Sequence, residues 1–224
     1  MSGARGSGLE DLYPFLYAGE GNIQAVMEQV ARSTEEKARE IVALRETVLT
    51  RDGERLAACA RDMASRFARG GKLLAFGNGG SSTDAQDVAT TFLHPERGGR
   101  PLPALSLTAD IAVVTALSND IGFDVVFARQ IAAFGTERDI AMGLSTSGSS
   151  GNVIKAFEEA RRRGLLTIGL AGYEGGRMAE VDTIDHLFVV PSSSVHRIQE
   201  AQTTVYHVLW ELTQAALEAE GASV

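Results

Sequence analysis

A doubly wound α/β sandwich on a five-stranded parallel sheet, preceded by helices, is the fold class the sequence predicts. From Lys72 onward, short apolar runs alternate with helical stretches, the pattern of successive βαβ units and so of a parallel sheet. The runs are apolar throughout rather than alternating, as strands covered on both faces must be. No internal repeat or low-complexity tract breaks the order.

Residues 1–18 carry Gly and Ser but no apolar signal core, and are expected to form a flexible start. Residues 19–50 place Ile23, Val26, Met27, Val30, Ile41, Leu44 and Val48 at helical spacing, and 53–69 do the same with Leu56, Ala57, Met63 and Phe67. Neither has glycine inside its helical part, so two long helices are expected. Their apolar faces need cover, from the main domain or another subunit. Strands are expected at 72–77, 103–107, 139–145, 165–172 and 186–191. Helices are expected at 81–94, 109–134 (two of them), 149–163, 176–182 and 196–219. The organisation is then a helical segment over 19–70 and an α/β domain over 71–220.

Bulk numbers exclude several classes. The 224 residues are 44% hydrophobic and 22% charged, enough for one domain with a full core. No apolar run approaches the roughly 18 residues of a membrane span, so no membrane partner is expected. A net charge of −8 and a pI near 5.1 argue against a nucleic-acid partner. They leave room for a local pocket taking a small anion. The single cysteine, Cys59, excludes an internal disulfide in a monomer and suits a reducing cytoplasm.

Two loops carry the first chemical signal. "LSTSGSSGNVIKAF" (144–157) sets small hydroxyls between a strand and a helix, at the carboxyl end where ligands of such sheets bind. The first backbone amides of the helix have no partner within it and, with its dipole, favour an anion. A Ser/Gly-rich turn with an N-cap would explain one such loop equally well. "FGNGGSSTDAQ" (76–86) is a second of the same kind, and two are harder to assign to turn chemistry alone. Neither is GxxxxGK[ST], and no GxGxxG follows the first strand, so no nucleotide cofactor is expected. A small phosphorylated ligand fits best.

The last helix places His196, Gln199, Thr203 and His207 on one stripe. The helix after the first loop carries Asp84, Asp87, Thr91 and His94. Each histidine taken alone could equally be a core residue satisfied by a hydrogen bond. Asp84 reads as an early-helix acid complementing the dipole, and His94, before Pro95, as a helix end.

The stretches "GNGGSSTDAQ", "SND", "STSGSSGNVIKA", "LAGYEGGRMA" and "RIQEAQTTVYH" together resemble the sugar isomerase (SIS) domain, and within it the sedoheptulose-7-phosphate isomerase (phosphoheptose isomerase) family. The resemblance covers about residues 20 to 217. It implies a flavodoxin-like three-layer sandwich, a homotetramer with active sites between subunits, a cytoplasmic setting and a phosphorylated sugar as substrate. Carried over by motif, it implies ligand contacts from Asn78, Gly79, Gly80, Ser81, Asn119, Asp120 and Gln199. Ser145, Thr146, Ser147 and Ser150 would hold the phosphate. Gln199 and His207 would also bind zinc, with His207 catalytic.

The departures bear on catalysis. The family pattern GNGGSxxDAxHxxxEL has its His at Asp87 and its catalytic Glu at Thr91, and the usual acid before "RIQE" is His196. Thr91 cannot take a proton from carbon at neutral pH. Zinc would need Asp87, Gln199 and His207, with His196 or His94 added. Aldose–ketose isomerisation through an enediol would then rest on His207 as base, with Asp87 or His196 as the second acid/base. The alternative is a SIS tetramer that binds a phosphosugar or a protein partner without catalysis. A SIS enzyme with another substrate, such as a different ketose phosphate or an aminosugar phosphate, also stays open.

Overall fold

The computed structural model describes residues 23–95 and 98–221. The expected flexible start at 1–18 and the first helical residues, 19–22, lie outside the described residues. The chain divides into two compact units, 1–43 and 44–224. The described part of the first is helical and largely exposed, with Ile23, Met27, Val30 and Val42 among its exposed apolar side chains.

The elements run α1 (Ile23–Ala68), β1 (Leu73–Gly77), α2 (Gly80–Leu93), β2 (Ala104–Ser106), α3 (Ile111–Asp120), α4 (Val126–Phe134), β3 (Ile140–Ser145), α5 (Gly151–Arg162), β4 (Leu166–Gly172), β5 (His186–Val190) and α6 (Val195–Gly221). Short 3-10 turns stand at Phe123–Val125 and Gly176–Ala179. The helix expected over 176–182 is reduced to the second of these, which follows Gly175 and opens on Gly176, both at positive φ. The two helices expected before the sheet are one, α1. Gly53 costs about 1 kcal/mol against alanine inside a helix, but packing overrides it. Leu56, Cys59, Ala60, Met63 and Phe67 beyond it are all buried. Asp52 beside it is buried and held by Arg51 and Arg55, which also donate to the carbonyls of Val189 and Leu187 in β5.

The five strands form one parallel sheet in the order β2-β1-β3-β4-β5. Every residue of β1, β3 and β4 is buried, which accounts for their unbroken apolar runs. Leu74 and Phe76 of β1 pack with Phe127 of α4 and Phe157 of α5 in one core layer. Phe67 of α1 stacks on Phe92 of α2, with ring centroids 5.7 Å apart. The chain leaves β1 in one direction for β2 and reaches β3 on the other side, so the switch point of the sheet lies between β1 and β3. There the carboxyl ends of neighbouring strands open a crevice.

Candidate functional site

Both hydroxyl loops leave the sheet at that switch point. The loop after β1 gives Asn78, Gly79, Gly80 and Ser81; the loop after β3 gives Ser145, Thr146, Ser147 and Ser150. Asn78 and Asn152 clasp the two together through a reciprocal amide pair, 2.8 and 2.9 Å. Neither α2 nor α5 has a side-chain N-cap, whereas α3 is capped by Asp110. The two helices that start at the crevice therefore keep their first-turn amides free of side-chain acceptors, as an anion site requires.

The second loop is tightly built. Ser145 Oγ lies 3.0 Å from Ser150 Oγ and 3.4 Å from Ser147 Oγ. The carbonyl of Thr146 accepts from the amide of Gly172 (3.0 Å), and that of Gly148 from Met178 (2.9 Å). Gly148 has φ +63°, and a Cβ there would sit 1.9 Å from the Gly175 carbonyl oxygen. Glycine is the residue that fits. A cleft of about 480 Å3 opens beside Ser147, walled by Tyr173, Glu174 and Gly176, within the range for small-molecule sites.

On the other side of the crevice α2 faces α6. Gln199 Nε2 donates to Asp84 Oδ2 at 2.9 Å and lies against Gly80, where a Cβ would come within 2.4 Å of it. Burial raises the Asp84 pKa, the Gln199 bond opposes that, and the charge of Asp87 adds to it. One turn further, Asp87 Oδ2 accepts from the Tyr206 hydroxyl at 2.6 Å and stands 3.6 Å from His207 Nε2. Both Asp87 and His207 are about half exposed, at 51% and 47% of the side chain. Thr91 follows on the same helix, half-buried.

Other expected residues are not brought to this cluster. His196 is exposed in the first turn of α6, eleven residues before His207. At 1.5 Å per residue that is about 16 Å along the axis, too far for an acid/base pair or a shared ion within the chain. His94 closes α2 as its C-cap. Asn119 and Asp120 are exposed at the end of α3, where Asn119 donates to Asp120 at 2.8 Å. Among the described residues no hydrogen bond joins them to either loop. Asn152, Gly148 and Tyr206 are the site residues that periodicity does not single out, although all three lie inside the quoted stretches, and Asp84, read as a dipole acid, is also the acceptor of Gln199.

Gln199 donates Nε2 to Asp84, and Asp87 and His207 are the ionisable ligand-type pair beside each other. Among the described residues no three His, Cys, Asp or Glu side chains group as a metal site. The ionisable side chains alone therefore do not supply the three protein ligands of a catalytic zinc site within one chain. No helix among the described residues is long and apolar enough to cross a membrane.

The SIS domain matches residues 38–172. The phosphoheptose isomerase of Thermodesulfovibrio yellowstonii is 40% identical over 199 residues, covering 88% of this chain and 92% of that protein. The phosphoheptose isomerase of Desulfovibrio desulfuricans is 46% identical over 178 residues, covering 79% and 83%. In structure, phosphoheptose isomerase from Neisseria gonorrhoeae superposes with a TM-score of 0.74 at 35% identity, covering 85% of this chain and 99% of that one. The chain belongs to the SIS-domain family and, within it, to the phosphoheptose isomerases.

Proposed function

We propose that this phosphosugar isomerase interconverts the aldose and ketose forms of a sugar phosphate of the sedoheptulose 7-phosphate class, with His207 as the proton-transfer group. One observation carries the assignment of roles. Two uncapped, hydroxyl-lined loops clasped by Asn78 and Asn152 stand at one end of a crevice whose α2–α6 wall holds an Asp87–His207 pair. The phosphate takes the amides and hydroxyls of Ser145, Thr146, Ser147 and Ser150. Asn78, Gly79, Gly80, Ser81 and Gln199 line the sugar.

His207 removes the proton from the carbon beside the carbonyl. The carbonyl oxygen gains a proton, an enediol forms, and the carbon proton returns to the neighbouring carbon as the other oxygen gives its proton up. Thr91 has no part in this transfer, and no step runs through zinc. The protein works as a homo-oligomer, a reading supported by the exposed apolar side chains of Ile23, Met27 and Val30 at helical spacing.

The test is incubation with sedoheptulose 7-phosphate in deuterated water, with and without a zinc chelator, following carbon-bound hydrogen by NMR. Exchange and product should appear in both. His207→Ala should lose turnover by about 10²- to 10⁴-fold, the usual weight of a general acid–base group, while inorganic phosphate still binds. Full turnover in that variant removes His207 from the mechanism, and loss of turnover on chelation returns a metal to it. Substrate binding by the parent with no exchange returns the non-catalytic adaptor.

A further inference from the structure

Asp87 stands where the family pattern has histidine, and the catalytic glutamate position is Thr91. The carboxylate that remains beside His207 is held by Tyr206, to which the resemblance assigns no role. Tyr206 is buried, and its hydroxyl reaches out to Asp87 Oδ2 at 2.6 Å, with a longer contact of 3.3 Å to Thr203 Oγ1. Burial and the bond to Asp87 push the phenol's pKa up, so it stays a donor. The same Oδ2 is the atom nearest His207 Nε2, at 3.6 Å, and the Tyr206 and His207 rings lie 5.2 Å apart. The carboxylate is fixed by one neighbour and presented to the next.

We propose that Tyr206 is a positioning residue: it locks Asp87 so that the carboxylate faces His207 Nε2, which sets the imidazole as its Nε2–H tautomer and leaves Nδ1 as the proton acceptor. This rests on the isomerase reading for its catalytic consequence, but not for its structural one. The chemistry is that of a carboxylate orienting an imidazole. A carboxylate accepts only, so the nitrogen that faces it carries the proton and the other nitrogen keeps its lone pair. Distances of this kind are often long without substrate and tighten in the complex. The arrangement also explains why the loss of a glutamate at position 91 is tolerable. The proton transfer moves onto a histidine whose tautomer is chosen by Asp87, and Asp87 is freed from acid–base duty by its bond to the phenol.

The test uses the full-length chain and two readouts. Nitrogen-15 NMR of His207 should show the Nε2–H tautomer dominant in the parent, and a mixed population in Tyr206→Phe and in Asp87→Asn. Kinetics on sedoheptulose 7-phosphate should show kcat lowered by about 10-fold or more in Tyr206→Phe with KM changed less than about 2-fold, the signature of an interaction that acts in the transition state rather than in binding. A tyrosine that only fills the core would change stability and leave both readouts where they were. That result would overturn the proposal. If Tyr206→Phe does not fold, the Tyr206 hydroxyl proton is followed instead: slow to exchange in the parent and fast in Asp87→Ala if the bond exists, unchanged between the two if it does not. Should the parent turn over no sugar phosphate, the isomerase reading fails while the tautomer measurement still decides the role of Tyr206.

Discussion

Gly148 shows how much of the loop after β3 hangs on one residue. Its left-handed backbone and the nearness of the Gly175 carbonyl leave no room for a side chain. In Gly148→Ala the new Cβ must displace backbone rather than the tip of a flexible side chain. Left-handed strain and overpacking together cost about 3 kcal/mol, roughly 6–12 °C in Tm for a chain of this size. Because the displaced segment lies between the Gly172 amide that donates to Thr146 and the Arg177 amide that donates to Ser149 Oγ, inorganic phosphate binding should weaken with the fold. A thermal melt with and without phosphate checks both. A Gly148→Ala protein that melts within a degree of the parent would show that the loop can shift at no cost.

Helix α1 makes the corresponding point for an element. Its run past Gly53 depends on Asp52, a buried carboxylate bracketed by Arg51 at 2.5 Å and Arg55 at 2.6 Å. Both arginines reach on to main-chain carbonyls of the edge strand β5, so Asp52 orders the two cations that tie helix to sheet. Removing one partner of a buried pair commonly costs 3–5 kcal/mol. Here the guanidiniums are about half exposed, at 43% and 51%, and solvent screening reduces that to about 2 kcal/mol for Asp52→Ala. Urea denaturation should show a lower midpoint with an unchanged slope. A shift below about 0.5 kcal/mol, the level of an ordinary surface change, would mean that the arginines hold β5 without the carboxylate.

At the scale of the whole molecule, the sheet was legible because strands buried on both faces write themselves as apolar runs, and β1, β3 and β4 are such strands. The two loops were legible because their small hydroxyls and glycines sit at strand ends. What stayed hidden depends on distances between elements. Within one helix the residue count gives the separation, about 16 Å between His196 and His207 along α6; between two helices it gives none. Tyr206 lies one residue off the stripe of His196 and His207, and nothing in the sequence says that α2 passes opposite it. The single helix α1 was hidden for the converse reason: Gly53 is a local signal, and burial of the residues beyond it outweighs that signal.

Part of the acid stability of the fold rests on a carboxylate at the opposite, amino-terminal edge of the sheet. Asp139 is buried just before β3 and accepts from Lys72 Nζ (2.8 Å), the Lys72 amide (2.9 Å), and the Thr136 amide (2.8 Å) and hydroxyl (3.0 Å), joining the lead-in to β1, the end of α4 and the start of β3. Burial by itself works against its charge, but the bonds from Lys72 and Thr136 together outweigh it, and its pKa is held below the ordinary carboxylate value. A depressed folded-state pKa means that the unfolded chain takes up the proton first. The stabilisation is therefore complete above the unfolded pKa, near 4, and is lost as pH falls through the lower folded value. Asp139→Asn removes the charge at all pH values and leaves Lys72 without its carboxylate. At pH 7 it should cost about 2 kcal/mol, a charge-assisted network discounted for the partly exposed lysine, or about 4–8 °C in Tm. Below the folded pKa of Asp139 the parent carboxyl is neutral as well, so the gap between parent and variant should close. Melting both proteins from pH 7 down to the acid limit reads the gap directly. A difference in Tm that stays constant over that range would show that Asp139 acts by its shape and hydrogen bonds alone and not by its charge.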